Sequence, residues 1–312
     1  MAPIINVVLP VFAIMLAGYV AGRSGLLGDA SSEALNRFVY YVALPALFFV
    51  SLARSGTGDA LNWSFIAALG GGFAATFLIA TAVAAFAFPN RLGALGLHGL
   101  GAIFSNTGYM GIPLLITAFG EPGKLPAIIG TVMTGAIIMP IGIVIIELDL
   151  GRGARPLAVV TRVFTAVARN PLVLSAGAGL LVSLLALPLP QPVATFCDIV
   201  GAAAGPCALF SIGLFMVGRS LRAGLGEVGW LVVLKLVVQP AITWWLAFRV
   251  FSMPPDLAAS AVILAALPTG ALVFVLAQQY GIYVQRATSV ILISTVVSVV
   301  TLSALFVLLG VG

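Results

Sequence analysis

The residues best placed to do chemistry form one short stretch inside an apolar run, Phe104-Ser105-Asn106-Thr107-Gly108-Tyr109-Met110-Gly111-Ile112-Pro113. A helix interior does not take Asn, two Gly and Pro together cheaply, since Gly costs about 1 kcal/mol and Pro about 3 kcal/mol relative to Ala. A second stretch, Leu267-Pro268-Thr269-Gly270, interrupts another apolar run in the same manner. Two helices broken in this way and meeting at their breaks would aim half-helix N-termini at one point. Each terminus carries roughly half a positive charge and N–H donors without acceptors. Such a point suits an anion. Asn106 can donate and accept there, and Thr107 and Thr269 add hydroxyls. Gly108, Met110, Gly111, Pro113, Pro268 and Gly270 complete the candidate substrate-binding set. Close helix packing explains many glycines, and for Gly70-Gly71-Gly72 it is as good a reading as any other. Asn and Pro add nothing to packing.

The remaining polar residues are thinly spread. Lys235, Gln239, Gln278 and Asp198 are candidates for ion coupling or for lining a cavity. For Lys235 the leading expectation is snorkelling to the headgroups, with pairing to an anion as the alternative. For Asp198 it is solvation at an interface. His98 is the single histidine and reads as structural; Glu147 and Asp149 read as an interfacial charge cluster beside Arg152. Cys197 and Cys207 are ten residues apart on one expected helix, about 15 Å along it, too far for a disulfide and without metal-ligand spacing. With no catalytic cluster and no GxxxxGK[ST] loop, neither an enzyme nor an ATP-driven pump is expected.

The elements that must hold these residues follow from composition. Of 312 residues, 62% are hydrophobic and 7% charged, whereas a soluble domain is about a quarter charged. The net charge of +5 is scattered between apolar stretches with no basic run, so a nucleic-acid partner is not expected. Apolar windows of about 20 residues recur, the length of a membrane-spanning helix, and the alternating ~10-residue segments of a barrel are missing. An all-α integral membrane protein follows, with spans at 3–22, 34–53, 62–88, 97–119, 124–148, 171–187, 192–217, 228–250, 256–280 and 284–310. In lipid, a broken helix survives only where protein or a watery cavity covers it, so the two breaks mark the protein's interior. The N-terminus lacks a basic n-region and reads as a first retained span.

Loop charge sets the orientation. Arg23, Arg37, Arg91, Arg152, Arg155, Arg162, Arg169, Arg219, Arg222 and Arg286 fall in odd-numbered loops, against Arg54, Lys124 and Arg249 in even ones. Odd loops then face the cytoplasm and both termini face outward. Arg over Lys and richness in Ala and Gly fit a GC-rich bacterial genome, hence a bacterial inner membrane.

The two halves also repeat. Pro10 and Pro171, Ala17-Gly18 and Ala178-Gly179, Pro45 and Pro206, and Phe119-Gly120 and Tyr280-Gly281 each differ by 161 positions; Thr107-Gly108 and Thr269-Gly270 differ by 162. Five spans per half force the second half into the membrane upside down, the inverted-repeat plan of secondary transporters with a midplane site. The expected fold is therefore ten transmembrane helices in two inverted five-helix repeats, with broken helices 4 and 9 crossed. Residues 1–149 form one repeat, 150–170 a cytoplasmic linker and 171–312 the other.

Asn106-Thr107-Gly108-Tyr109-Met110-Gly111-Ile112-Pro113-Leu114 resembles the fourth-helix signature of the auxin efflux carrier family, which includes plant auxin exporters and bacterial carboxylate carriers. Asn36-Arg37-Phe38-Val39 with Pro45, Leu267 through Gly270 with Phe274-Val275, and Ala277-Gln278-Gln279-Tyr280 agree in order, so the resemblance spans nearly the whole chain. It implies a scaffold of spans 1, 2, 6 and 7 and a transport domain of spans 3–5 and 8–10, with elevator-type alternating access and a homodimer through the scaffold. Plant members typically carry Lys-Glu where this chain has Gln278-Gln279, and their long central loop is here about twenty residues, which favours the bacterial branch. The expected function is secondary transport of a small organic anion, a mono- or dicarboxylate such as malonate or malate. A sodium-coupled symporter of the bile-acid-carrier type and an exporter of auxin-like indole acids are the alternatives. No cofactor is expected, and coupling to protons is favoured over sodium.

Overall fold

Apolar runs become helices wherever Gly, Pro and Asn do not stop them, and the described residues are mostly helical. The computed structural model describes residues 4–55, 62–88, 90–150, 161, 164–165, 167–218 and 224–311. Most of the expected linker 150–170, including Arg152, Arg155 and Arg162, lies outside them, as do Arg219 and Arg222. Among the described residues, seven helices are long and apolar enough to cross a membrane: α1 (Asn6–Arg23), α2 (Ala30–Arg54), α3 (Trp63–Ala87), α6 (Glu121–Asp149), α8 (Gln191–Met216), α9 (Leu225–Val250) and α12 (Val284–Leu309). Four shorter apolar helices are α4 (Leu92–Ile103), α5 (Thr107–Phe119), α7 (Pro171–Leu184) and α10 (Pro255–Ala266). The nine-residue α11 (Leu272–Tyr280) follows α10. Among the described residues there is no strand, only one isolated antiparallel bridge between Ser105 and Thr269.

Local signals account for the boundaries. The Asn62 side chain caps α3 by accepting from the Phe65 amide, and Asn170 accepts from Leu172 and Val173 at the start of α7, where Pro171 occupies the first turn. Helices α5 and α11 both end at a glycine with positive φ, Gly120 (φ 67°, ψ −143°) and Gly281 (φ 66°, ψ 20°), the second in the left-handed helical region, and glycine adopts either without penalty. These two residues are 161 positions apart.

Burial sorts the helices into an interior and a shell. From Ala258 to Leu267 every residue of α10 and its end is buried, and α4 is buried from Gly96 to Ile103. A helix apolar on all sides belongs inside, and the Ala and Gly content of α4 and α10 lets neighbours come close. The outer helices show large apolar side chains, with Phe86 90%, Leu308 82% and Val300 71% exposed. Large exposed apolar side chains of this kind suit a surface that meets lipid.

The two most extensive helix pairs are α1 against the Ala204–Met216 part of α8, and α7 against the Leu44–Arg54 part of α2. Glycines permit both. A Cβ at Gly18 would collide with the Phe210 carbonyl, and one at Gly179 would meet the Phe49 carbonyl. Gly70, Gly71 and Gly72 on α3 face Met133, Leu246 and Thr243, so they are packing positions.

Candidate functional site: the meeting of two interrupted helices

Each break opens a gap of a few residues, α4 to α5 at Phe104–Asn106 and α10 to α11 at Leu267–Ala271, and the gaps pair with each other. The Asn106 amide donates to the Pro268 carbonyl at 2.9 Å and the Gly270 amide to the Phe104 carbonyl at 2.8 Å. The freed backbone groups thus satisfy one another inside the protein, as a break in an apolar environment requires. Gly270 is closely packed here: a Cβ would press on the Phe104 ring at 3.0 Å and the Asn106 Cα at 3.3 Å, so either would have to give.

Side chains from neighbouring helices complete the junction. Thr269 Oγ1 donates to the Gly101 carbonyl at 2.8 Å, and Ser294 Oγ on α12 accepts from the Thr269 amide at 3.1 Å. Gln239 Nε2 on α9 donates to the Ile103 carbonyl at 3.3 Å. One turn earlier, Lys235 Nζ donates to the Ala265 carbonyl at 2.6 Å. These carbonyls belong to the last turns of α4 and α10, which lack intrahelical donors. Lys235 and Gln239, four residues apart and therefore on one face of α9, each hold the C-terminal end of a different half-helix.

The opposite, N-terminal ends point elsewhere. Asn106 opens α5, its carbonyl accepting from the Met110 and Gly111 amides, and among the described residues its side-chain amide has no hydrogen-bond partner. It borders a cavity of about 30 Å³ that is also lined by Asn36, Tyr109, Ser211, Phe215, Ala271 and Thr295. That volume holds little more than a water. Ser211 Oγ donates to Asn36 Oδ1 at 3.0 Å, and Tyr109 Oη reaches the Asn36 carbonyl at 3.4 Å. Among the described residues, no charged side chain lines the cavity. Its walls come from two groups of helices: α2 and α8 on one side, and α5, α12 and the start of α11 on the other. Phe215 of α8 stacks edge-on with Phe274 of α11 across the same seam, with ring centroids 5.4 Å apart.

The residues expected at the site divide accordingly. Asn106 faces the cavity. Thr107 turns its hydroxyl to Thr134 of α6 at 3.0 Å, and Thr269 uses its hydroxyl on Gly101, so neither faces the cavity as a free hydroxyl. Gly108 lies against Thr131 and Leu44, Gly111 against Leu264 and Leu267, and Pro113 against Gly205; Met110 is fully buried. These, with Pro268 and Gly270, build the junction. Lys235 does not snorkel: it is fully buried and held by Ala265. Gln239 is also fully buried and caps α4 without lining the cavity. Gln278 is exposed in the last turn of α11. Asp198 is brought instead to Arg54 in a bidentate, half-exposed ion pair at 2.8 and 2.9 Å. Asn36, Ser211 and Thr295 were not expected at the cavity; of these, only Asn36 stands out in the sequence, as a polar residue opening an apolar run.

A second polar region gathers where α3, α6 and α11 end and α4, α9 and α12 begin. His98 is paired there: its Nδ1 lies 2.7 Å from Glu227 Oε1, and Arg286 Nε is 3.2 Å from Glu227 Oε2. Tyr283 also donates to Glu227. Burial, then that hydrogen bond, hold the Tyr283 phenol far above its usual range. Tyr280 donates to the buried Glu147 at 2.8 Å, and Arg91 lies 3.7 Å from Asp149.

A membrane-embedded bundle built on two paired helix breaks can be compared with known proteins. The family model described as "Membrane transport protein" matches residues 3–306. The chain belongs to that family. It is the auxin efflux carrier family that the fourth-helix motif resembles, so this is a multi-pass membrane transport protein. It is similar to the "Putative malonate transporter" of Rhizobium meliloti (strain 1021), with 32% identity over 315 residues covering 100% of this chain and 98% of that protein. It is 28% identical over 307 residues to an uncharacterized transporter of Methanothermobacter thermautotrophicus, covering 95% of each. The uncharacterized transporter YfdV of Escherichia coli (strain K12) is 24% identical over 306 residues, covering 94% of this chain and 93% of its own.

Proposed function

We propose that this family member is a secondary active transporter of a small organic anion, a mono- or dicarboxylate such as malonate or malate. The observation that carries the reading is the pairing of the two interrupted helices, which leaves the Asn106 amide and the N-terminal end of α5 facing an uncharged cavity. Helix N-termini and a neutral amide bind carboxylates through N–H donors. The name of the Rhizobium relative points to the same substrate class.

Counting α4 with α5 and α10 with α11 as single interrupted spans, the helices make ten crossings in two halves related by inversion. Reciprocal packing supports this: Gly18 against Phe210 and Gly179 against Phe49 exchange partners under the 161-residue offset, and Gly120 and Gly281 end equivalent helices. Spans 1, 2, 6 and 7 form the scaffold and spans 3–5 and 8–10 the transport domain. Because the cavity lies on the seam between them and is too small for a dicarboxylate, the transport domain moves along the scaffold to load and release substrate, an elevator motion. Two scaffolds meet in a homodimer. The polar region around Glu227 faces the cytoplasm of a bacterial inner membrane and both termini face out, as the loop charges indicate.

Coupling is to protons. A sodium site would have to use backbone and amide oxygens, because no acidic residue lies from Phe104 to Pro113 or from Leu267 to Tyr280. The test is uptake into proteoliposomes of labelled malonate, malate, lactate and an indole acid, each under an imposed proton or sodium gradient. Uptake of a dicarboxylate stimulated by a proton gradient is the expected result. Uptake confined to the indole acid, or strictly dependent on sodium, would replace this reading with one of the alternatives.

A further inference from the structure

The structure buries a lysine whose titration an anion site made of helix ends and amides does not use. Lys235 is fully buried at the middle of α9, and its Nζ has a single partner, the Ala265 carbonyl at 2.6 Å. No carboxylate pairs with it among the described residues. Four helices pack around this part of α9: α3, α4, α10 and α12. Helix α3 has no titratable side chain. On α4 the only one is His98, on α10 Asp256 and on α12 Arg286. His98 and Arg286 are engaged with Glu227, eight residues and ~12 Å along α9 from Lys235. Asp256 is nine residues, ~13 Å, from Ala265 along α10. Nothing anionic is therefore in place to balance an ammonium group at Lys235, and an unbalanced buried charge is too costly to persist.

Ala265 is one turn before Pro268, whose carbonyl receives the Asn106 amide. Lys235 is thus one hydrogen bond and one helical turn from the junction, and on the side of the C-terminal ends, where a positive charge is favoured. Resting on the reading of this site as an anion carrier, we propose that Lys235 is the proton-coupling residue, an amine that takes up a proton when the carboxylate binds at Asn106 and gives it back when the carboxylate leaves. On loading, the amine lone pair forms an N–H bond with a proton from the side the anion enters; on release the same bond breaks and the proton leaves with the anion. The arriving negative charge supplies the balance that the protein itself lacks, and by linkage each ligand strengthens the binding of the other. Lys235 touches the helix end and not the substrate, so it acts as a positioning and coupling residue.

The first test uses the wild-type protein in detergent, in weak buffer with a pH indicator, titrated with malonate at a pH where malonate is a dianion. Binding takes up about one proton per malonate, and binding without proton uptake overturns the proposal. The second compares variants in proteoliposomes. Lys235→Gln keeps a donor for Ala265 but cannot titrate; its apparent affinity for malonate falls roughly tenfold, and its residual uptake no longer rises with an inward proton gradient. Lys235→Arg stays charged at all pH values and also loses the response to the gradient. A Lys235→Gln protein whose uptake responds to the gradient as wild type does would contradict the assignment. Failure of the wild type to bind or carry any of malonate, malate and lactate would instead defeat the carrier reading on which it rests.

Discussion

The helix junction at Asn106 and the polar region around Glu227 are both buried, yet they are built in opposite ways. At the junction, backbone pairs with backbone and neutral side chains close the helix ends, with Lys235 the one ionisable group. Around Glu227, a carboxylate, an imidazole, a guanidinium and a phenol share one another's hydrogen bonds. The difference follows from what each must do. Helix ends gathered in one place can be fastened by ions, and the fastening is stable because each carboxylate there has a partner. On the proposed reading the junction accepts and releases an anion, and such a site cannot be filled by its own counter-charges. Removing a charge should therefore damage the region around Glu227 through stability, and removing a neutral group should damage the junction at Asn106 through transport.

Glu227→Gln breaks the comparison most severely if it is wrong. It leaves His98 and Arg286 without their carboxylate and should lower stability by about 3–5 kcal/mol, read as a large drop in melting temperature in detergent, while any protein that remains folded keeps its malonate affinity. Thr269→Val removes the donor to the buried Gly101 carbonyl at a cost of about 1–3 kcal/mol, and its loss of uptake should exceed what the melting temperature accounts for. Tyr283→Phe deletes one hydrogen bond to Glu227 and should cost about 1 kcal/mol with transport intact. Arg54→Ala breaks a half-exposed pair with Asp198 and should cost less than about 1 kcal/mol. Equal losses for Glu227→Gln and Arg54→Ala would remove the distinction between a buried fastener and a surface pair.

The breaks were legible because Asn106, Gly108, Gly111 and Pro113 are costly in a helix and cannot stand in an apolar run without reason; helix boundaries followed from run length and caps. What was not legible was where each polar group points. The hydroxyls of Thr107 and Thr269 are identifiable from sequence, but their acceptors are 27 and 168 residues away. The His98–Glu227 and Asn36–Ser211 contacts span 129 and 175 residues, and a lone histidine carries no sign of a distant carboxylate. Lys235 shows the limit most clearly. A lysine two turns inside an apolar helix reads the same whether its stem reaches the headgroups or folds onto a neighbouring helix end, and only the position of Ala265 decides.

The central claim is that a carboxylate is bound at the helix junction by neutral donors, with Asn106 the side chain that reaches it. Malonate uptake by Asn106→Ala in proteoliposomes, beside wild type and with size-exclusion profile and melting temperature recorded for both, tests it most directly. The account predicts a monodisperse protein of near wild-type melting temperature whose uptake falls to the background of empty liposomes. Uptake at the wild-type rate and affinity would show that the substrate binds elsewhere.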